Sequence, residues 1–214
     1  MDLGLVNKVA LVLASSKGLG LACAKGLYQE GANVVICSRS KSNLLKARKE
    51  IDILKKKSDE QKLMDELVDL NNQNQINSLI DSVIRELGKI DILVHNAGGP
   101  PSAPISQISK EQWEESISLN LKSFIIASKA VIPVMQKEQY GRIIAITSVS
   151  IKQPLENLVL SNTTRLGVLG FAKTLANEYA KDNILVNVVC PGPTLTDRMN
   201  ELIKTETTRT TNIF

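Results

Sequence analysis

Aromatic side chains are scarce: three Phe, three Tyr and one Trp make up 3% of a chain that is 43% hydrophobic. The core must therefore be aliphatic, which suits parallel strands buried on both faces and the helices that cover them. No basic stretch interleaved with aromatics, the footprint of a nucleic-acid binder, is present. Charge of one sign is also lacking, with 26 basic and 22 acidic residues and a formal net charge of +4. The densest run, Lys55-Lys56-Lys57, falls in a helical stretch and reads as a solvated face. Cysteine is limited to Cys23, Cys37 and Cys190, odd in number and far apart in apolar contexts. These read as buried thiols in a reducing compartment rather than as a disulfide framework. The single histidine, His95, leaves no metal-ligand cluster. No apolar run approaches membrane-spanning length, and Met1-Asp2 opens without a signal-peptide pattern. A cytoplasmic protein with neither membrane nor nucleic-acid partner is expected.

What the chain does contain is an alternation of strand and helix signals. Lys8-Val-Ala-Leu-Val-Leu-Ala-Ser-Ser-Lys-Gly-Leu-Gly20 organises the rest. The apolar run 9–13 predicts a strand buried on both faces, the small polar residues 14–17 a turn, and 19–30 a helix whose free N–H groups suit a phosphate. Further strands are predicted at 33–37, 63–68, 90–94, 142–146 and 184–189. Helices are predicted from about Asn43, capped by Ser42 or Asn43, and at 75–87 with Gly88 as its stop. Ser109 and Gln112 form a capping box for a long helix toward Gln136, which Pro133 bends or ends, and a last helix covers 157–180. The fold class is α/β: a doubly wound parallel sheet of about six strands in one domain, residues 1–199, with helices on both faces. Ligands bind beyond the carboxyl ends of such strands, where the polar loops of this chain fall. Residues 205–212 contain five threonines, and 200–214 is expected to be a disordered tail.

The loops carry Ala14-Ser-Ser-Lys-Gly-Leu-Gly20, Asp69, Asn96-Ala-Gly98, Asn120, Gly141-Arg…Ser148 and Pro191-Gly192. In order and spacing these resemble the short-chain dehydrogenase/reductase family, single-domain Rossmann-type enzymes that use NAD(P), and within it the 3-oxoacyl carrier-protein reductases and related carbonyl reductases. The resemblance implies that Ser15, Lys17, Gly18, Leu19 and Gly20 line the pyrophosphate and adenosine phosphate. It implies that Asp69 and Leu70 hold the adenine edge and that Asn96, Ala97 and Gly98 lie along the adenosine ribose. Pro191, Gly192, Thr194 and Thr196 would hold the nicotinamide end. Asn120 would shape a proton-relay water, and Ser148 would donate to the oxygen of a carbonyl or alcohol substrate. At the end of the second strand, where a carboxylate would bind a free ribose 2′-hydroxyl, stand Ser38 and Arg39. Arg39 and Lys17 can hold a 2′-phosphate, which favours NADP(H) over NAD(H).

Three departures qualify the resemblance. Leu13-Ala14 stands where the family has Thr-Gly, and alanine narrows the approach to the phosphate. The family's Tyr-x-x-x-Lys is replaced by Ser161…Arg165, in which Arg165 supplies a cation beneath the nicotinamide ribose but Ser161 is a poor acid. The chain also stops about fifty residues short of the family pattern. An oxidoreductase with a modified centre built from Ser148, Asn120, Ser161 and Arg165 is therefore expected. The alternatives are an inactive dinucleotide-binding protein and, less favoured, a lyase akin to halohydrin dehalogenases. His95 is expected to fill a position where the family often has asparagine. A homodimer through the helices 109–136 and 157–180 is expected, with the sixth strand exposed at the sheet edge.

Overall fold

The computed structural model describes residues 2–200 and 203; the expected tail, apart from residues 200 and 203, lies outside them. Six strands form one parallel sheet: β1 (Val9–Val12), β2 (Asn33–Ser38), β3 (Leu63–Leu67), β4 (Ile92–His95), β5 (Gly141–Ile146) and β6 (Ile184–Val189). Their order is β3-β2-β1-β4-β5-β6, the doubly wound arrangement expected. The strand order reverses direction between β1 and β4, so a crevice opens above the carboxyl ends of those two strands.

Alternate residues of β1 face opposite layers. Leu11, with Val35 of β2, Leu93 of β4 and Ile143 of β5, packs under α3 (Gln73–Leu87), α5 (Ser123–Lys137) and α6 (Val159–Tyr179). Ala10 and Val12, with Ile36 and Val94, pack under α1 (Gly18–Gln29) and α2 (Lys41–Asp52). The scarcity of aromatics shows in these layers: Tyr28 and Phe124 are the largest fully buried side chains, and the remainder are aliphatic or Met. Edge strand β6 alternates, with Ile184 buried and Leu185 and Val189 45% and 48% exposed.

The helix ends follow local chemistry. Ser40 caps α2 by accepting from the Asn43 N–H, so the cap lies earlier than Ser42 or Asn43. Asn72 caps α3, and Gly88 closes it at φ 79°, a left-handed conformation that glycine adopts without strain. Ser109 and Gln112 form the capping box of α4 (Lys110–Ser116). The long helix is not uniform: a π segment, Ile117–Lys122, joins α4 to α5, and Pro133 lies inside α5 without ending it. By length and composition this Lys110–Lys137 run could cross a membrane, contrary to the expectation from sequence. Its apolar side instead lies against the sheet, with Phe124, Ala127, Val131 and Met135 fully buried.

The β1–α1 turn is tightly built. Ala14 has φ +46°, in the left-handed region where a Cβ costs about 1–2 kcal/mol. Gly20 packs the first turn of α1 onto it, and a Cβ there would sit 2.6 Å from the Ala14 carbonyl oxygen and 2.7 Å from Asn96 Nδ2. Opposite substitutions at these two sites should therefore act in opposite directions. Ala14→Gly is expected to raise stability by about 1 kcal/mol, or about 2–4 °C in Tm. Gly20→Ala is expected to lower it by about 1–3 kcal/mol. Thermal melting of the two variants checks both signs.

Candidate functional site

Side chains finish the strand ends that the ladder leaves open. Leu13 N–H donates to the Val94 carbonyl, and Ser15 N–H to that of Cys37. Ser15 Oγ donates to the Val12 carbonyl (2.7 Å) and accepts from Cys37 N–H (3.0 Å). Ser15 is fully buried, so the placement expected for it along a phosphate is corrected here: the left-handed Ala14 turns it inward and leaves Ser16 facing the cleft. Asn96 Nδ2 donates to the Ala14 carbonyl at 3.0 Å and ties the β4 loop to the turn.

Above this edge lies a cleft of about 540 Å³. Lys17, Gly18 and Leu19 line it from the first turn, Ser38 and Arg39 from the end of β2, and Asp69 and Leu70 from the end of β3. Asn96, Ala97 and Gly98 line it from the β4 loop, Arg165 from α6 and Thr196 from the segment that follows β6. Ser16, Ser40, Asn43, Asp197 and Arg198 also line it and were not singled out from sequence. Gly20 does not face the cleft; it acts by letting helix and turn approach. No side chain caps the N-terminus of α1, in contrast to α2, α3 and α4, so its first N–H groups are left for a ligand.

The donors suit a phosphorylated ligand. Ser16 Oγ donates to Ser38 Oγ at 2.9 Å, and Ser38 Oγ also accepts from Ser40 N–H. Arg39 is exposed and forms no ion pair among the described residues. Lys17 lies 3.5 Å from Asp197, an exposed pair of small value that a phosphate can displace. The segment carrying Asp197 crosses the cleft: Thr196 touches the glycine turn, and Arg198 donates to the Pro100 carbonyl.

A smaller recess of about 150 Å³ shares Leu19, Arg165 and Thr196 with the cleft and is also lined by Ser148, Ser161, Pro191, Gly192 and Thr194. Ser148 Oγ accepts from Ser150 N–H at 3.1 Å, which leaves its own proton free to donate into the recess. Arg165 is 8% exposed, and its Nη1 donates to the Ile146 and Thr147 carbonyls at the end of β5 (3.1 and 3.2 Å). Burial and the neighbouring charge of Arg198 push its pKa down to about 10. Asn120 does not line either cavity. It is 1% exposed within the π segment, its amide donates to the Ser116 carbonyl (3.3 Å), and Oδ1 has no partner. The resemblance expects Asn120 to shape a proton-relay water; its position here is within the π segment, behind the cavity linings.

No tyrosine compensates for Ser161 among the described residues. Tyr28 is buried beneath α1 and α2. Tyr140 lies between Lys8 and Arg142 (3.6 and 4.3 Å from the ring centre) at the sheet's opposite edge, and Tyr179 ends α6. A larger cavity of about 630 Å³ lies beside β3, away from the strand ends. Its Arg48 is held by Asp52 and Asp65 and its Glu66 accepts from Ser82, so those groups are already engaged.

The short chain dehydrogenase family profile matches residues 8–207. The human dehydrogenase/reductase SDR family member 4 is 33% identical over 189 residues, covering 88% of this chain and 66% of that protein. A 3-oxoacyl-[acyl-carrier-protein] reductase of Thermotoga maritima is 34% identical over 188 residues, covering 88% and 74%. The crystal structure of L-sorbose reductase from Gluconobacter frateurii, complexed with NADPH and L-sorbose, superposes with a TM-score of 0.87 at 33% identity, covering 96% of this chain and 75% of that one. The chain thus spans about two thirds of the length of the human relative.

His95 lies behind the site rather than in it. Its Nε2 pairs with Ser123 Oγ at 2.8 Å, and because Ser123 donates to the Leu119 carbonyl (2.5 Å), the ring donates and its Nδ1 stays bare. Burial, with the charge of Arg165 adding to it, pushes its pKa down to about 3. The unfolded chain takes up this proton near pH 6.5 and the folded chain only near pH 3. Stability is thus full above the upper value and falls by up to about 1.4 kcal/mol per pH unit below it. His95→Asn is expected to flatten this slope between pH 6.5 and 4, read from urea midpoints of parent and variant.

Proposed function

The chain belongs to the short-chain dehydrogenase family, and we propose that it is an NADP(H)-dependent oxidoreductase acting on a carbonyl or alcohol. The observation that carries this reading is the cleft itself: an uncapped helix N-terminus and a close-packed glycine turn, facing Arg39 and Lys17. Lys17, Gly18 and Leu19, with the first N–H groups of α1, would hold the pyrophosphate. Ser16, Ser38, Arg39 and Ser40 would hold the 2′-phosphate, and Asp69 and Leu70 the adenine. Asn96, Ala97 and Gly98 would border the ribose, while Pro191, Gly192, Thr194 and Thr196 would border the nicotinamide. When bound, the nicotinamide supplies the hydride.

The rest of the chemistry falls to the chain's own residues. Ser148 would donate to the substrate oxygen and polarise the carbonyl. Arg165, fixed on two carbonyls, would stabilise charge on that oxygen. With no phenol in the recess, the proton would come from water beside Ser161 and Arg165. The absence of a tyrosine from the recess also favours a second reading, a protein that binds the dinucleotide without turnover. Dinucleotide binding with no product from a broad panel of carbonyl compounds would favour that reading over the first. As parts of the same proposal, the protein is cytoplasmic, with its three cysteines free, and pairs through the outer faces of α4, α5 and α6.

NADPH is expected to bind more tightly than NADH. Arg39→Ala should weaken NADPH by about 1–3 kcal/mol and leave NADH nearly unchanged, as titration calorimetry will measure; equal affinities in the parent protein would sink the assignment. Where turnover is detected, Ser148→Ala should lower kcat by roughly 100-fold or more. Ser161→Tyr with Arg165→Lys should raise it, by placing an acidic phenol beside an ammonium. A folded double variant with no gain would show that the recess performs different chemistry.

A further inference from the structure

The net charge of this chain is concentrated in one stretch. Residues 41–62 hold eight basic and four acidic side chains, a net +4 that equals the net charge of the whole chain, so the remainder is balanced. Half of this stretch is α2, whose Leu44, Ala47 and Ile51 are buried against the sheet. A helix returns every fourth residue to nearly the same side, so Leu45, Lys49 and the C-cap Ile53 follow one another along the outward face. Lys46 stands beside them, and Lys55 and Lys56 follow in the exposed turn after the helix.

The acids of α2 do not neutralise this face. Glu50 pairs with Lys25, and Asp52 pairs with Arg48. Lys46, Lys49, Lys55 and Lys56 form no ion pair among the described residues. Ile53 is 84% exposed and Leu45 48%. A single exposed leucine is ordinary on a protein surface. Here apolar side chains and unpaired ammonium groups share one outward face, which a reading of Lys55-Lys56-Lys57 as merely solvated does not explain.

We propose that the outward face of α2 and the turn after it dock on an anionic lipid surface. Ile53 and Leu45 enter the headgroup layer, and the lysines pair with lipid phosphates and carboxylates. Nucleic acid is the poorer match: residues 41–62 contain no aromatic side chain for a base to stack on, and an isoleucine gains nothing from a phosphate backbone. The helix covers the layer opposite α5 and α6, so pairing of two chains through those helices leaves it outward. The proposal does not rest on the oxidoreductase reading.

Co-sedimentation with vesicles tests it. Phosphatidylcholine vesicles that contain phosphatidylserine are expected to bind the protein about 10-fold or more tightly than phosphatidylcholine alone. Raising the salt from about 0.1 M to about 0.5 M should remove most of that preference. Ile53→Ser should weaken binding about 5-fold or more, and Lys49→Gln with Lys56→Gln roughly 10-fold or more. Leu185→Ser, on the opposite edge of the sheet, should leave it unchanged. Equal binding to the two kinds of vesicle overturns the proposal, as does undiminished binding by Ile53→Ser or loss of binding in folded Leu185→Ser. A duplex oligonucleotide bound as tightly as the anionic vesicles, with Ile53→Ser without effect, would assign the face to nucleic acid instead. If a variant does not fold, the comparison of vesicles by the parent protein still decides. NADPH titration of the same preparation tests the oxidoreductase reading separately.

Discussion

A parallel sheet covered on both faces leaves its backbone polar groups unsatisfied chiefly where the strands stop, and the rest of this molecule is arranged around that constraint. At the carboxyl edge several open groups are met by side chains from the strand-end loops and from α6. Ser15 closes β1 and β2 together, Asn96 takes the Ala14 carbonyl, Thr147 takes that of Val189, and Arg165 takes two at the end of β5. The polar side chains gathered there are thus structural before they are functional. The ligand cleft is the space they leave between them.

This double duty decides what was legible in the sequence. Apolar runs fixed by backbone burial were readable: all six strands lie within two residues of their expected limits. Ser109 with Gln112 and the stop at Gly88 depend only on neighbouring residues, and so they were readable as well. What could not be read depends on where one backbone torsion turns a side chain. Ala14 at φ +46° exchanges the inward and outward serines, so Ser15 becomes a strut and Ser16 a cleft residue. The π segment likewise holds Asn120 behind the wall, and no local pattern in Ile117–Lys122 announces it. Asp197 and Arg198 escaped notice because their relevance comes from a long-range crossing over the glycine turn and the β4 loop.

The charge at the centre of the site follows from the same geometry. A lysine ammonium could not serve two carbonyls at the end of β5 and still present a planar fork to the cleft, whereas a guanidinium does both. Burial first, and the positive charge of Arg165 second, lower the basicity of His95, whose neutral ring gives its one proton to Ser123. Ser123 in turn donates to the carbonyl of Leu119 inside the π segment. Arg165, His95 and the π segment therefore form one electrostatic unit: a second charge on the imidazole would stand opposite the guanidinium in a medium that screens little.

The same unit bears on the missing phenol. In a recess with a tyrosine, a nearby cation serves to lower the pKa of that hydroxyl; with Ser161 the alkyl hydroxyl is too weak an acid for the cation to bring into range. On the reading proposed above, the field of Arg165 would then act on charge developing at the substrate oxygen. Its strength comes from burial, since a guanidinium at the surface would be screened to a fraction of this value. The absence of the phenol thus leaves the buried positive charge of Arg165 in place. On the reading proposed above, the group that this charge would act on changes from a side chain of the protein to the ligand.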